Sequence, residues 1–581
     1  MTASPTLRVL VDPSDVGRPG GEPARRRSVL LAVLSVLTGT AAIGWHGALY
    51  GNWIVDDAAI TFAYARSFAD GLGPVVHPGA EAVEGFSNPT WLLLLALGKL
   101  VGLFDHGTLF GVPDYVLFPK GLALLCCAGI LTVCYLVARR VTRRPWLVTA
   151  ATGLVLAAIP SFVIWSFSGL ENSLYALTVV ALAAVLFLAV LDGRLRTAKV
   201  ALAAGALAAV AALTRPEGLV YAGAYPLLAL VLLRRPLLRP SIRNAALSVA
   251  AFALPVGGYY AWRLATFGQW LSSPAVAKSQ SLPALSDFAR PGELVAYAGA
   301  PAVLVVAAVL AMALARPLWW RQAMLALLVP LGLALFAYAV LESDWMEQYR
   351  FATPVWVLGA LVGSLAVADV FRHSRPRRRA WLAAGLVVAA LPSGAAYAES
   401  AEEFRANPNI SACYVADRLG RNFNAYADIL GLREASLLLP DLGGSALTTR
   451  LHLVDMAGLG EPRIAEFIRN GDMAGLRDYV FEEVKPTFIH SRWPWASGNG
   501  ISSDPRIARD YHQLYSYPDD DPPNGDWVRK GAVPDQATLA ELRRYARTEV
   551  ERVERDSRTA TYPLRSCGDT LRPGQTTVGQ T

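Results

Sequence analysis

SVLLAVLSVLTGTAAIGWHGALY, residues 28–50, is a run of apolar and small residues without an acidic, lysine or arginine side chain. At about 1.5 Å per residue, a helix of this length crosses the roughly 30 Å hydrocarbon layer of a membrane. Arg25, Arg26 and Arg27 stand immediately before it, and positive charge marks the cytoplasmic side of a span. A cleaved signal peptide would have a similar look, but the many apolar runs that follow favour a retained first helix. Just beyond it comes VDDAAITFAYARSFADGLGP, residues 55–74, which opens on the adjacent Asp56 and Asp57. Two like charges at the mouth of a span add nothing to stability. A single aspartate would suffice to cap the next helix, a role worth about 1 kcal/mol, so the second calls for a function.

The rest of the chain repeats the theme. Apolar residues make up 54% and charged residues 17%, against about 25% charged in soluble proteins. The net charge of +7 does not point to nucleic acid, because the basic residues lie in short clusters between apolar runs. Further spans are expected near 115–138, 146–165, 173–191, 200–214, 218–233, 245–264, 293–315, 322–341, 351–371 and 380–397, eleven with the first. The stretch PTWLLLLALGKLVGLF, 89–104, is short and carries Lys99; as a span it would put Arg139, Arg140, Arg143 and Arg144 outside. It reads instead as a helix lying on the outer surface. A second surface helix is expected over 58–70, stopping at Gly71, with Thr61, Tyr64, Ala65 and Phe68 on one face.

The fold class that follows is an α-helical polytopic membrane protein of about eleven spans. It divides into a cytoplasmic arm (1–27), a membrane module (28–397, with surface helices within 50–114) and an extracytoplasmic region (398–581). That last region has no span and alternates helix-like CYVADRLGRNFNAYADILGL with strand-like ASLLLP and PTFIHSRW, the pattern of a small mixed α/β domain. Cys126, Cys127 and Cys134 fall in the second span as packing residues, whereas Cys413 and Cys567 are the one pair in the outer region, where a disulfide can persist.

Unusual polar residues collect at the outer ends of the spans: AVEGFSNPTW (82–91), SGLENS (168–173), LTRPEG (213–218), PAVAKS (274–279) and DWMEQYR (344–350). Ionisable groups beside spans are functional candidates by default. For LTRPEG the plain alternative is a helix end in which Arg215 and Glu217 pair. Lys278 and Arg350 are cations on a face otherwise poor in them, suited to an anionic group such as a lipid phosphate. Nucleotide sugars and ATP stay in the cytoplasm, so an outward-facing site receives its activated group on a lipid carrier. A carboxylate then takes the proton of an incoming hydroxyl while cations hold the departing phosphate. A transporter or lipid flippase is the rival reading, but transporters place their charges near the bilayer midplane. The seven histidines are scattered without metal-ligand spacing, and no pattern requires a cofactor, although paired carboxylates beside a phosphate would suit a divalent cation.

These stretches, together with WIVDDAAITFAYARSFADGLGPVVHPGAEAVEGFSNPTWL and DWMEQYRFATPV, resemble the GT-C membrane glycosyltransferases that use polyprenyl-phosphate sugars. The nearest resemblance is to the mycobacterial terminal β-(1→2)-arabinofuranosyltransferases, over roughly residues 50–360. LESDWM departs from the Gly-Gly-Asp common among those relatives, so contacts near the sugar are expected to differ. The resemblance implies Asp57 as the base, with Asp56 orienting it or binding the acceptor, and Lys278 and Arg350 at the donor phosphate. It implies Glu84, Asn88, Glu171, Arg215, Glu217, Asp344 and Trp345 as substrate-binding residues. It further implies decaprenyl-phosphoryl arabinofuranose as donor, a cell-envelope glycan as acceptor, and a place in the plasma membrane.

Overall fold

A computed structural model of the chain describes residues 22–278, 283–315, 320–342, 345–518, 523–559 and 561–576. The apolar runs fold as helices, since a backbone in lipid must satisfy its own N–H and C=O groups. In chain order these are α1 (Glu22–Ala48), α2 (Asp56–Ala69), α3 (Pro89–Leu100), α4 (Asp114–Val141), α5 (Pro145–Ala158), α6 (Pro160–Ser166), α7 (Asn172–Leu191) and α8 (Ala198–Thr214). There follow α9 (Ala224–Val231), α10 (Leu238–Phe267), α11 (Ser273–Ala277), α12 (Pro291–Ala298), α13 (Ala300–Ala315), α14 (Arg321–Val340), α15 (Thr353–Arg372) and α16 (Pro376–Ala406). A small hairpin, β1 (Thr108–Leu109) and β2 (Val112–Pro113), lies between α3 and α4.

Among the described residues seven helices are long and apolar enough to cross a membrane, or nine if each of two bent pairs is one span. The pairs are α5–α6, bent by 83°, and α12–α13, bent by 103°. Each bend has a local cause. Pro160 brings no N–H to continue the helical ladder, and Gly299 between α12 and α13 has φ +85°, a conformation open to glycine. The expected spans 200–214 and 218–233 fall on α8 and on a 3₁₀ turn, Pro216–Gly223, leading into α9. The eleven expected spans thus become seven full-length helices, two bent pairs and these shorter elements. Close helix crossings depend on small residues, as packing in lipid does: where α1 crosses α5, a Cβ on Gly153 would come within 2.7 Å of the Gly39 Cα.

The chain beyond α16 forms α17 (Ala412–Val415), α18 (Asn422–Ile429), β3 (Ser436–Leu439), α19 (Gly443–Thr448), β4 (His452–Asp455), α20 (Pro462–Asn470), α21 (Met473–Asp478), β5 (Phe488–Ser491), β6 (Tyr511–Ser516) and β7 (Gly525–Arg529). The sheet order is β4-β3-β5-β7-β6, with β3 parallel to β4 and β5, and β7 antiparallel to β5 and β6. The parallel strands carry Leu437, Leu438, Leu439, Val454, Phe488 and Ile489, all buried, as strands covered on both faces should be.

Two seams join this module to the helices. In the first, Val55 and Ser411 form an antiparallel bridge, with Asp56 N–H donating to Ile410 O (3.1 Å) and Ala412 N–H to Ile54 O (2.9 Å). In the second, buried Asp105 accepts Arg66 Nε and Nη2 (2.7 Å each), Arg572 Nη1 (2.7 Å) and Lys99 Nζ (3.2 Å). Burial works against that charge, but the three cations outweigh it and hold the Asp105 carboxyl below its ordinary value. α2 begins at Asp56, is buried along most of its length, and packs between α3 and α19. Cys413 and Cys567, paired in the sequence reading as a candidate disulfide, are free thiols within hydrogen-bonding reach of each other.

Asp455, at the carboxyl end of β4, accepts Gly460 N–H (2.7 Å) and Ala457 N–H (2.9 Å), yet burial pushes its carboxyl up to about 7. An unfolded chain releases this proton near about pH 4, so the folded chain binds more protons between the two values. Stability from this site is therefore greatest at low pH, falls as pH rises to about 7, and is level above that. Asp455→Asn should flatten the fall, read as the difference in Tm between variant and wild type across pH 4–8.

Candidate active site

The two aspartates that open α2 have different fates. Asp56 is buried (3% exposed), and its Oδ2 and Oδ1 accept the backbone N–H groups of Gly443 (3.1 Å) and Gly444 (2.7 Å). The fit is close: a Cβ on Gly443 would lie 2.0 Å from the Asp56 carbonyl oxygen. Burial pushes the Asp56 carboxyl well above its ordinary value; Asp441 and Asp57 add to this and the two N–H bonds offset part of it. Neither aspartate caps α2, because Val55 holds the N-cap position without a side-chain bond. Asp56 is thus fully engaged in holding the C-terminal module, and orientation of its neighbour comes through the shared helix turn.

Asp57 is the accessible member, its side chain 21% exposed, with Oδ2 3.7 Å from Lys278 Nζ. The structure therefore brings together a carboxylate and a cation that are far apart in sequence. What places Lys278 is Glu84. Its carboxylate is buried against α10, accepting Tyr259 Oη and both Arg263 Nε and Nη2, and its carbonyl accepts Ser273 N–H at the start of α11. Lys278 follows directly on α11, which also packs against α20 of the C-terminal module.

The other expected substrate residues form a buried chain of bonds. One turn after Asp57, Thr61 Oγ1 donates to Asn88 Oδ1 (3.2 Å), and Asn88 Nδ2 donates to Glu171 Oε2 (2.6 Å). Arg215 donates from Nη1 to Glu171 Oε1 (2.6 Å) and from Nε to Glu217. Asn172, beside Glu171, reaches Arg350 O (3.1 Å) and Thr353 Oγ1 (3.2 Å) through its Nδ2. Arg215, Glu171 and Glu217 are only 5–7% exposed. Their polar groups are used on one another and brace the loops that carry them. Arg215 and Glu217 do pair, as the plain alternative for LTRPEG had it.

Arg350 lies at the far end of this chain and opens on a cavity of about 480 Å³ lined by Arg290, Glu293, Tyr338, Tyr349 and Ser400 among others. Its guanidinium lies 5.7 Å from the Trp165 ring centre and 5.1 Å from that of Phe351. The three residues before it, Glu347, Gln348 and Tyr349, all have φ near +50°, a left-handed run that side chains disfavour. Trp165 Nε1 donating to Gln348 O (2.9 Å) helps hold it. Lys278 is not among the residues lining this cavity. Trp345 is half exposed (53%), and Asp344 lies outside the described residues.

Arg290 was not singled out in the sequence. It stands at the start of α12, 5.6 Å from the Tyr338 ring centre, while Tyr338 Oη donates to Glu293 (3.0 Å). Its one sequence signal is a cation at the head of an apolar helix, in ARPGELVAY. Among the described residues no three His, Cys, Asp or Glu side chains gather as a metal cage would need. With Asp56 engaged by backbone N–H groups, a divalent cation would have Asp57 as its carboxylate.

No protein-family model and no curated protein matches the chain. Among solved structures it is similar to ArnT from Cupriavidus metallidurans bound to undecaprenyl phosphate, with 14% identity, TM-score 0.46, 88% of this chain and 100% of that one covered. It is similar also to the archaeal oligosaccharyltransferase AglB from Archaeoglobus fulgidus, with 12% identity, TM-score 0.46, and 80% and 69% covered. The arabinosyltransferase EmbB from Mycobacterium smegmatis is similar at 18% identity and TM-score 0.39, with 86% of this chain and 43% of that one covered. At these scores the likeness is one of general course, and the site is read from its own residues.

Asp56→Ala should lower stability by about 3 kcal/mol, because two buried N–H groups lose their acceptor. Asp57→Ala should stay within about 0.5 kcal/mol of wild type, as substitutions of accessible side chains do. Thermal unfolding of the two purified variants separates the anchoring aspartate from the accessible one.

Proposed function

We propose that the chain is an inverting glycosyltransferase that moves a sugar, arabinofuranose in its specific form, from a polyprenyl-phosphate carrier to a cell-envelope glycan on the outer face of the plasma membrane. The observation that carries this reading is the Asp57–Lys278 pair, 3.7 Å apart, at the seam between an apolar helix bundle and an α/β module. The amino terminus is cytoplasmic and the module extracytoplasmic in this reading, as the arginine clusters between the apolar runs require.

Asp57 accepts the proton of an acceptor hydroxyl, and that oxygen forms the new bond to the anomeric carbon. The bond from the anomeric carbon to phosphate breaks, and the electron pair leaves with the polyprenyl phosphate. Positive charge builds on the sugar ring in the transition state, as in other glycosyl transfers. Lys278, beside the reacting carboxylate, offers its ammonium to the departing phosphate. Arg350 and Arg290 supply further cationic walls in the cavity they line, and Leu285 and Phe288, close before Arg290 in sequence, are 92% and 51% exposed. Such a combination suits an anionic headgroup on a hydrocarbon chain.

Asp57→Asn keeps the side chain's size and removes its capacity to accept a proton at neutral pH. Transfer of labelled sugar from decaprenyl-phosphoryl arabinofuranose to a synthetic arabinofuranosyl oligosaccharide should fall by about 10²- to 10⁴-fold. A variant that folds and transfers at the wild-type rate would refute the mechanism. Replacing Arg350 or Lys278 by Ala should slow transfer by about 10²-fold, the usual cost of one positioned charge partner. Unchanged donor kinetics in both would make them ordinary loop residues.

A further inference from the structure

The order β4-β3-β5, with all three strands parallel, means that the chain leaves β3 toward one side, to β4, and then returns across to β5. In such sheets the connections after two neighbouring strands diverge and leave a crevice at their carboxyl ends, which is where α/β proteins bind ligands. Here the neighbours are β3 and β5. Asp441 follows β3 and Arg492 follows β5, and they meet across the gap: Arg492 Nε and Nη2 donate to the two Asp441 carboxylate oxygens at 2.6 Å each. The pair is partly open, with Arg492 26% and Asp441 9% exposed. Arg492 Nη1 makes only a long bond, 3.4 Å, to Trp493 O. Trp493 itself is 69% exposed, an unusual state for so large an apolar ring.

This crevice does not face away from the reacting pair. Gly443 and Gly444, two and three residues beyond Asp441, hold the Asp56 carboxylate, and Asp57 is the next residue on α2. Asp441, close enough to Asp56 to act on its charge, is bonded to Arg492, and the exposed Trp493 comes next in the chain, so that a neutral ion pair and an indole form one strip beside the turn that carries Asp57. A polyhydroxylated neutral ligand matches that strip. Hydroxyls bond to a fixed guanidinium–carboxylate pair on both its donor and acceptor sides, and the C–H face of a sugar ring covers an indole, burying apolar surface on both.

We propose that the β3/β5 crevice, bounded by Asp441, Arg492 and Trp493, is a binding subsite for the acceptor glycan, seating the sugar residues behind the hydroxyl that reacts. This rests on the glycosyl-transfer reading above. The subsite makes the C-terminal module part of the substrate channel and gives it a hold on the acceptor behind the reacting sugar.

The test uses the full-length purified protein and a fluorescently tagged linear arabinofuranosyl oligosaccharide, with binding read by fluorescence polarisation in the absence of donor. Trp493→Ala should weaken binding by about tenfold, a change of about 1.4 kcal/mol, and Trp493→Tyr should restore most of it. In transfer assays Trp493→Ala should raise the acceptor KM by a similar factor, leaving the donor KM and the rate at saturating acceptor unchanged. Equal binding by wild type and Trp493→Ala, or no binding by wild type, overturns the subsite. A failure of the transfer reading is seen separately, as wild-type rates in Asp57→Asn, and leaves the donor-free binding result to stand by itself.

Discussion

Everything at the seam depends on one buried carboxylate. Asp56 ties the first residues of α2 to the loop after β3, with its backbone N–H used in the same place against Ile410. A carboxylate this deep is costly unless its oxygens find donors, and here both donors come from a segment 387 and 388 residues away in sequence. The consequence is geometric. The helix that carries Asp57 cannot shift without breaking bonds to the C-terminal module, so Asp57 is positioned by that module as much as by the bundle.

The surrounding polar groups extend that fixation. Glu84 with Arg263, and Glu171 with Arg215 and Glu217, are buried ionic clusters. Such clusters gain little net stability, because desolvation offsets most of the attraction, but losing one partner strands a charge. Their effect here is to lock loops that have no regular structure of their own. Residues 82–88, α11 and the turn before α7 all hang on these contacts. The C-terminal module has a parallel case in Arg418, fully buried between Asp526 (2.9 Å) and Glu554 (2.5 Å), which ties the chain around Glu554 to β7.

The long helices and the acidic pair were legible in the sequence, because apolar length and a doubled charge beside a span are local signals. So were β3 and β5, whose apolar runs ASLLLP and PTFIHSRW stand out in a polar region. The division of labour between Asp56 and Asp57 was not legible. It is decided by Gly443 and Gly444, and nothing near residue 56 announces that partner. That Glu171, Arg215 and Glu217 bond to one another was hidden for a similar reason: a charge beside a span looks alike in sequence whatever it meets. The burial of α2 was hidden because α19, which covers one of its faces, lies far along the chain. Arg290 and Arg492 passed unnoticed since a single arginine in a loop carries no pattern until the fold gives it neighbours.

The contact between Asp105 and Arg572 spans 467 residues, and it bears on how the protein is made. A ribosome releases the chain from the amino terminus onward, so Asp105 is in place with Arg66 and Lys99 long before Arg572 exists. The bundle can insert and pack during synthesis, but this seam closes only when the stretch that carries Arg572 has been made. Asn52 N–H, bonded to Leu564 O at 2.7 Å, and Tyr115 Oη, bonded to Gly568 O at 3.0 Å, wait for the same stretch. Assembly at the mouth of the first span is thereby a late event, and a chain cut short before residue 561 lacks the strap that closes it.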